Sequence, residues 1–258
     1  MSTATVPQRT VPPLGGFNAT LLRLEVRRML RNRRTVIFSI VLPVVFFLIF
    51  GTGKSYSDEN AGHGNVAGLI MINMALYGAM LSTTGGGAMV AVERSQGWSR
   101  QLRLTPLRPA AYVLTKVASA LVFALASVVV TCAVGLASGA HLSTRALVLG
   151  ALIAWGGSAV FAAFGLFMGY VLPAENVMQI LGPVLALMAF AGGLFVPIDG
   201  GVFATIAKFI PTYGLAELTR APLLGTAPNV WAYVNVLGWG VVFVVGAARR
   251  FRRDTARV

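Results

Sequence analysis

The sequence predicts an all-α membrane protein with six transmembrane helices. To these it adds an N-terminal amphipathic interface helix, a short cytoplasmic helix between spans two and three, and a re-entrant segment between spans five and six. The first observation behind this is composition. Of 258 residues, 56% are hydrophobic and 11% charged, with a mean hydropathy of +0.75, whereas a soluble domain carries roughly 25% charged residues. The second is a set of six runs without a charged residue: 35–53, 60–92, 117–140, 146–174, 176–198 and 221–248. Each is long enough for a spanning helix, which needs about 20 apolar residues. Six such runs cannot all be buried core helices of one small soluble chain.

The third observation is where the charges lie. Net charge is +13, a value that invites a nucleic-acid reading. Seven basic residues precede the first span (Arg9, Arg23, Arg27, Arg28, Arg31, Arg33, Arg34). Arg94, Arg100, Arg103, Arg108 and Lys116 lie between spans two and three, and Arg249, Arg250, Arg252, Arg253 and Arg257 follow span six. With six crossings all three clusters share one side, and only Lys54, Arg145, Lys208 and Arg220 face the other. That is the positive-inside pattern, and it predicts both termini in the cytoplasm. The charge is then used against anionic lipid heads, not nucleic acid. Cys132, the single cysteine, falls inside span three and permits no disulfide framework.

Residues 1–17, rich in Pro, Gly and Thr, read as a flexible cytoplasmic tail without the apolar core of a signal peptide. Residues 18–258 form a single transmembrane domain. Asn18 caps an interface helix over 18–31, where Arg23, Arg27 and Arg31 repeat every four residues opposite Leu22, Val26 and Met29. A helix with such faces, just before a span, lies flat at the membrane surface. Span one covers about 35–50, with Pro43 as a candidate kink, and the polar loop 51–64 is external. Span two covers about 66–92. Its Ser82–Met89 stretch holds three successive glycines, which suit either close helix packing or a flexure.

The loop "ERSQGWSRQLRLTPLRP", Glu93 to Pro109, is longer and more patterned than a plain connection. On a helical wheel Trp98, Leu102 and Thr105 share one face, with Gln96, Ser99, Arg100 and Arg103 on the other, until Pro106 stops the helix. Spans three to six cover about 117–137, 146–172, 176–195 and 231–247. Between spans five and six, residues about 197–222 hold apolar pieces too short to cross, broken by Lys208 and Pro211, as a re-entrant hairpin would be. Trp231 and Tyr233 sit where an aromatic belt is expected.

No chemistry of its own is visible. His63 and His141 stand apart, with no further ligand at metal-binding spacing, and the span centres hold no acids for a proton relay. Gly53-Lys54-Ser55 resembles the end of a phosphate-binding loop. The required first glycine is instead Leu48, and the stretch ends a membrane span on the external side. The polar residues within spans, Asn73, Tyr77, Asn176, Gln179 and Asn235, either bridge helices or contact a substrate. A membrane-embedded lipid-modifying enzyme would need a catalytic constellation, and an ion-coupled transporter intramembrane acids. Neither is found, and no metal site is expected.

"ERSQGWSRQLRLTPLRPAAYVLTKV" resembles the cytoplasmic loop of type-2 ATP-binding-cassette exporter permeases, through Glu93, Arg94, Gly97, Leu102, Thr105, Pro106, Leu107 and Lys116. "GGLFVPIDGGVFATIAKFIPTYGLAELTRAPLLG" is similar to that family's segment after span five, through Gly193, Pro197, Pro211, Tyr213 or Gly214, Arg220 and Gly225. Trp98 and Ser99 depart from the family's usual Thr-Leu-like pair. The resemblance implies an exporter permease of an amphipathic drug, lipid or glycan in a bacterial cytoplasmic membrane, like the drug-resistance permeases of bacteria. It implies pairing with a second permease copy or a related one, and a separate nucleotide-binding subunit that binds ATP and Mg and performs hydrolysis, so this chain is no enzyme and holds no cofactor. Glu93, Arg94, Gly97, Trp98, Arg100, Leu102, Arg103 and Thr105 would form the coupling helix that docks the partner. Phe195, Pro197, Pro211, Tyr213 and Arg220 would contribute to an outer gate, and Asn73, Tyr77, Asn176 and Gln179 are candidates for the substrate path.

Overall fold

A computed structural model describes residues 13–97, 107–196, 198 and 200–256. Among them the only β-pairing is in isolated bridges, Asn60 with Asn65 and Gly64 with Leu142. Six helices are long and apolar enough to cross a membrane: Arg33–Phe50, Val66–Ser95, Ala110–Ala137, Thr144–Val171, Ala174–Ala191 and Val230–Arg253, here spans one to six. The chain is a multi-pass membrane protein. Span three begins seven residues before the uncharged run that marks it, so Lys116 lies inside the helix and not at its mouth. Span six likewise continues through its arginines to Arg253, because straight-chain basic residues are good helix formers once past the apolar stretch.

Span two is the central element. Its most apolar window is 83% buried, while those of spans one, five and six are each under a quarter buried and keep broad apolar faces outward. Glycine makes this possible. A Cβ on Gly86 would meet the Ala120 Cβ of span three at 2.6 Å, and one on Gly87 the Ala162 carbonyl oxygen of span four at 2.5 Å. Gly85 has open space beside it. The helix runs unbroken through all three. Of the two readings of this stretch, packing describes Gly86 and Gly87, and Gly85 faces a void.

Span one holds a π-turn over Ile37–Val41, which ends two residues before Pro43. Proline has no N–H, so the Ser39 carbonyl loses its usual partner four residues on. The Ser127 hydroxyl of span three donates to that oxygen at 2.5 Å. Gly78 of span two allows the approach, since a Cβ there would collide with Ser127 Oγ. Span four is interrupted at Ser158, where its two helical halves, Thr144–Gly157 and Ala159–Val171, meet.

At the end of the bundle away from Glu93, two shorter helices, Gly201–Ala207 and Pro211–Leu224, follow span five. Asn235 of span six binds them: its amide donates to the carbonyls of Lys208 at 2.8 Å and Ile210 at 2.9 Å and accepts from the Gly214 N–H at 3.2 Å. Arg220 donates to the Gly193 carbonyl at 3.0 Å, and Thr212 to Met188 O at 2.5 Å. The loop before span two is closed by backbone bonds from Asn65 to His141 and from Ser143 to His63. The two histidine segments, far apart in sequence, thus lie together, although no cluster able to hold a metal ion occurs among the described residues.

Candidate functional site

The N-terminal helix Ala19–Arg31 starts where Asn18 accepts from the Leu21 N–H at 2.7 Å. Arg23, Arg27 and Arg31 are exposed, Leu22 and Val26 half-buried, and Met29 is buried against Gly86 of span two. Glu25, the only acid before Asp58, projects toward the bundle. There it joins a largely buried cluster of ion pairs.

Lys116 Nζ lies 2.8 Å from Glu25 Oε2 and 2.5 Å from Glu93 Oε1. Arg28 approaches the same Glu93 oxygen at 2.7 Å, and the Tyr112 hydroxyl donates to the other. Side chains of Lys116 and Glu93 are each 3% exposed. Two cations and two carboxylates therefore neutralise one another where an unpaired charge would be prohibitive. The cluster ties three elements together: the N-terminal helix, the last turn of span two and the first third of span three. Arg94, the next residue, points elsewhere. Its guanidinium sits 5.4 Å over the Tyr170 ring and reaches the Gly169 and Tyr170 carbonyls at the end of span four, where a cation complements the helix dipole.

Beside this cluster, a cavity of about 680 Å³ opens between span one and span five. Glu25, Arg28, Arg34 and Lys116 line its polar part, while Phe38, Leu81, Met89 and Leu185 provide apolar wall. Gly85 and Gly182 also line it, and a Cβ on either would enter open space. The volume lies within the roughly 300–1,000 Å³ typical of small-molecule sites.

The structure distributes the remaining sequence candidates widely. Gln179 lines the cavity, and Asn176, one turn earlier on span five, is exposed. Asn73 is buried, with no hydrogen-bond partner for Oδ1 among the described residues. Tyr77 is buried in an aromatic group. Its ring meets Phe195 edge-on at 4.9 Å and stacks with Phe46 at 6.4 Å, while Phe190 packs on Phe195 at 4.7 Å. One substrate-path candidate and one outer-gate candidate are thus direct neighbours. Pro211 begins its helix, Tyr213 lies one turn before Glu217, and Arg220 holds the end of span five. Burial and the Glu217 carboxylate push the Tyr213 hydroxyl up to about 12, so it is a neutral donor. Gly97 adopts a left-handed φ of 72° with nothing near its Cβ position, where glycine is favoured. Trp98, Arg100, Leu102, Arg103, Thr105 and Pro197 lie outside the described residues.

The charged cluster was only partly legible beforehand. Glu93 and Lys116 stand out by type, but their pairing with Glu25 and Arg28 requires knowing that the N-terminal helix folds back onto span three. One available signal was Glu25 itself, a lone acid in a strongly basic segment.

Five spans pack around the buried span two and leave an amphipathic cavity, the layout of a multi-pass membrane protein. Residues 18–224 match the family described as ABC-2 type transporter, and the chain belongs to that family. It is also similar to "Putative transport permease YvfS" of Bacillus subtilis (strain 168), at 26% identity over 222 residues, covering 83% of this chain and 87% of that one.

Proposed function

We propose that this chain is the permease half of an ATP-driven exporter that moves an amphipathic drug, lipid or glycan out across a bacterial cytoplasmic membrane, with both termini in the cytoplasm. The cavity supports this reading most directly: it has a charged portion and apolar wall, as an amphipathic cargo requires. A separate nucleotide-binding subunit binds ATP and Mg and performs hydrolysis, and a second permease, identical or related, completes the pathway. The loop with Trp98, Arg100, Leu102, Arg103 and Thr105 docks that subunit. Glu93, being buried, does not touch it but passes its motion to the N-terminal helix through Lys116 and Arg28. The partner's nucleotide state drives transport only by binding one membrane conformation better than another.

Gln179 meets cargo in the cavity. The Tyr77–Phe195 contact and the segment held by Arg220 close the outer side, with the helices after span five dipping into the outer leaflet. The test is co-expression with candidate nucleotide-binding subunits, then copurification and ATPase assay in lipid. One subunit should copurify and hydrolyse ATP, and charge reversal at Arg100 and Arg103 should release it. No association with any candidate, or association indifferent to the reversal, refutes the reading.

A further inference from the structure

Charge in the cavity is unbalanced. Arg28, Arg34 and Lys116 line it together with one carboxylate, Glu25. Glu93 does not line the cavity but pairs with both Lys116 and Arg28. Even with both acids counted, three cations face two carboxylates. Arg34, exposed at the start of span one, lies within ion-pair distance of no acid among the described residues. Span five contributes Gln179 and apolar residues to the lining, but no acid. Arg28 is 43% exposed, so part of its donor fork is open to an entering group.

We infer that the cavity receives an amphiphile with an anionic head, a carboxylate, phosphate or sulfate. The head takes Arg34 and the free donors of Arg28, and competes with Glu25 for Lys116. This names the cargo class of the proposed transport site and rests on that reading. The chain of the ligand lies along Phe38, Met89 and Leu185. Binding is then an ion exchange at the cluster that carries the end of span two. An anionic head that draws Lys116 away from Glu25 loosens the N-terminal helix from span three, whereas a neutral or cationic head does not. Cargo is sensed through the same residues that hold the end of span two.

The full chain in neutral maltoside micelles is titrated with dansyl-labelled undecanoic acid and with its methyl ester, which share chain and fluorophore. The acid should bind at least about tenfold more tightly than the ester, as expected for a charge-assisted contact. Arg34→Gln, a substitution at an exposed side chain, should weaken the acid about two- to fivefold and leave the ester unchanged. Glu25→Gln should strengthen acid binding by freeing Lys116. Gly85→Leu, which fills open space, should weaken both probes and so place the site in the cavity and not on surface arginines. Equal affinities, acid binding indifferent to Arg34→Gln, probes indifferent to Gly85→Leu, or no binding of the acid overturns the inference. Nanodiscs of phosphatidylcholine with and without phosphatidylglycerol then distinguish the source. Probe binding lost with phosphatidylglycerol identifies a membrane phospholipid as the occupant, and retained binding a free amphiphile; both carry the anionic head. None of these measurements involves an ATPase, so failure here leaves the pump reading standing, and the reverse also holds.

Discussion

Replacing Lys116 with methionine preserves most of the stem's volume and removes the charge that two carboxylates share. Glu93 would retain Arg28 and Tyr112, but Glu25 would keep only a 3.7 Å contact with Arg28. Breaking a buried pair by removing one partner costs about 3–5 kcal/mol. Glu25 is 15% exposed and water can partly reach it, which places Lys116→Met near the low end, about 3 kcal/mol. Arg28→Met should cost under about 1 kcal/mol, because its 43% exposed side chain is well screened. The Glu93→Gln, Lys116→Met double variant should lose less than the sum of the single losses, by about 1.5–3 kcal/mol, since neither leaves the other's charge stranded. Unfolding in mixed micelles of neutral detergent and dodecyl sulfate, followed by helical circular dichroism, measures all four. Losses additive within about 0.5 kcal/mol, or an Arg28→Met loss equal to that of Lys116→Met, would refute the argument that burial makes Lys116 the centre of the cluster.

Within the triple glycine, Gly85→Ala should raise stability by up to about 1 kcal/mol through helix propensity alone. Gly87→Ala should lower it by about 1–3 kcal/mol as the new methyl forces spans two and four apart, read in the same unfolding assay. Asn235→Ala strips partners from two carbonyls and one N–H, and should speed hydrogen exchange at Gly214, seen by mass spectrometry of the Lys208–Leu215 segment. Tyr213, with its hydroxyl raised from 10.0 to about 12, should ionise near pH 12 by ultraviolet titration. The folded state then holds this proton more tightly than the unfolded chain. Its contribution is fully present below pH 10 and is lost as pH rises through about 12.

The six spans, their order and the concentration of basic residues at three points were determined by sequence alone. Hydrocarbon solvent tolerates few charges and demands about 20 apolar residues per crossing, which writes each span into a contiguous run. The two short helices after span five were legible for a similar reason, since Lys208 and Pro211 break a stretch too short to cross. The asparagines and serines were legible only as polar residues in apolar surroundings. That Asn235 seals Lys208 and Ile210, and that Ser127 repairs the carbonyl Pro43 leaves bare, depends on which helices touch.

Only the tertiary structure decided which face of each apolar helix meets another helix and which remains open. In a span every face is hydrophobic, so periodicity does not distinguish neighbour from lipid. Gly85, Gly86 and Gly87 are identical in sequence, yet one borders a cavity and the other two meet different spans. Charge pairing is likewise long-range: Glu25 and Lys116 are 91 positions apart and meet because the N-terminal helix returns to span three. A residue's type prescribes that a buried charge must find a partner, whereas the fold alone determines which partner it finds.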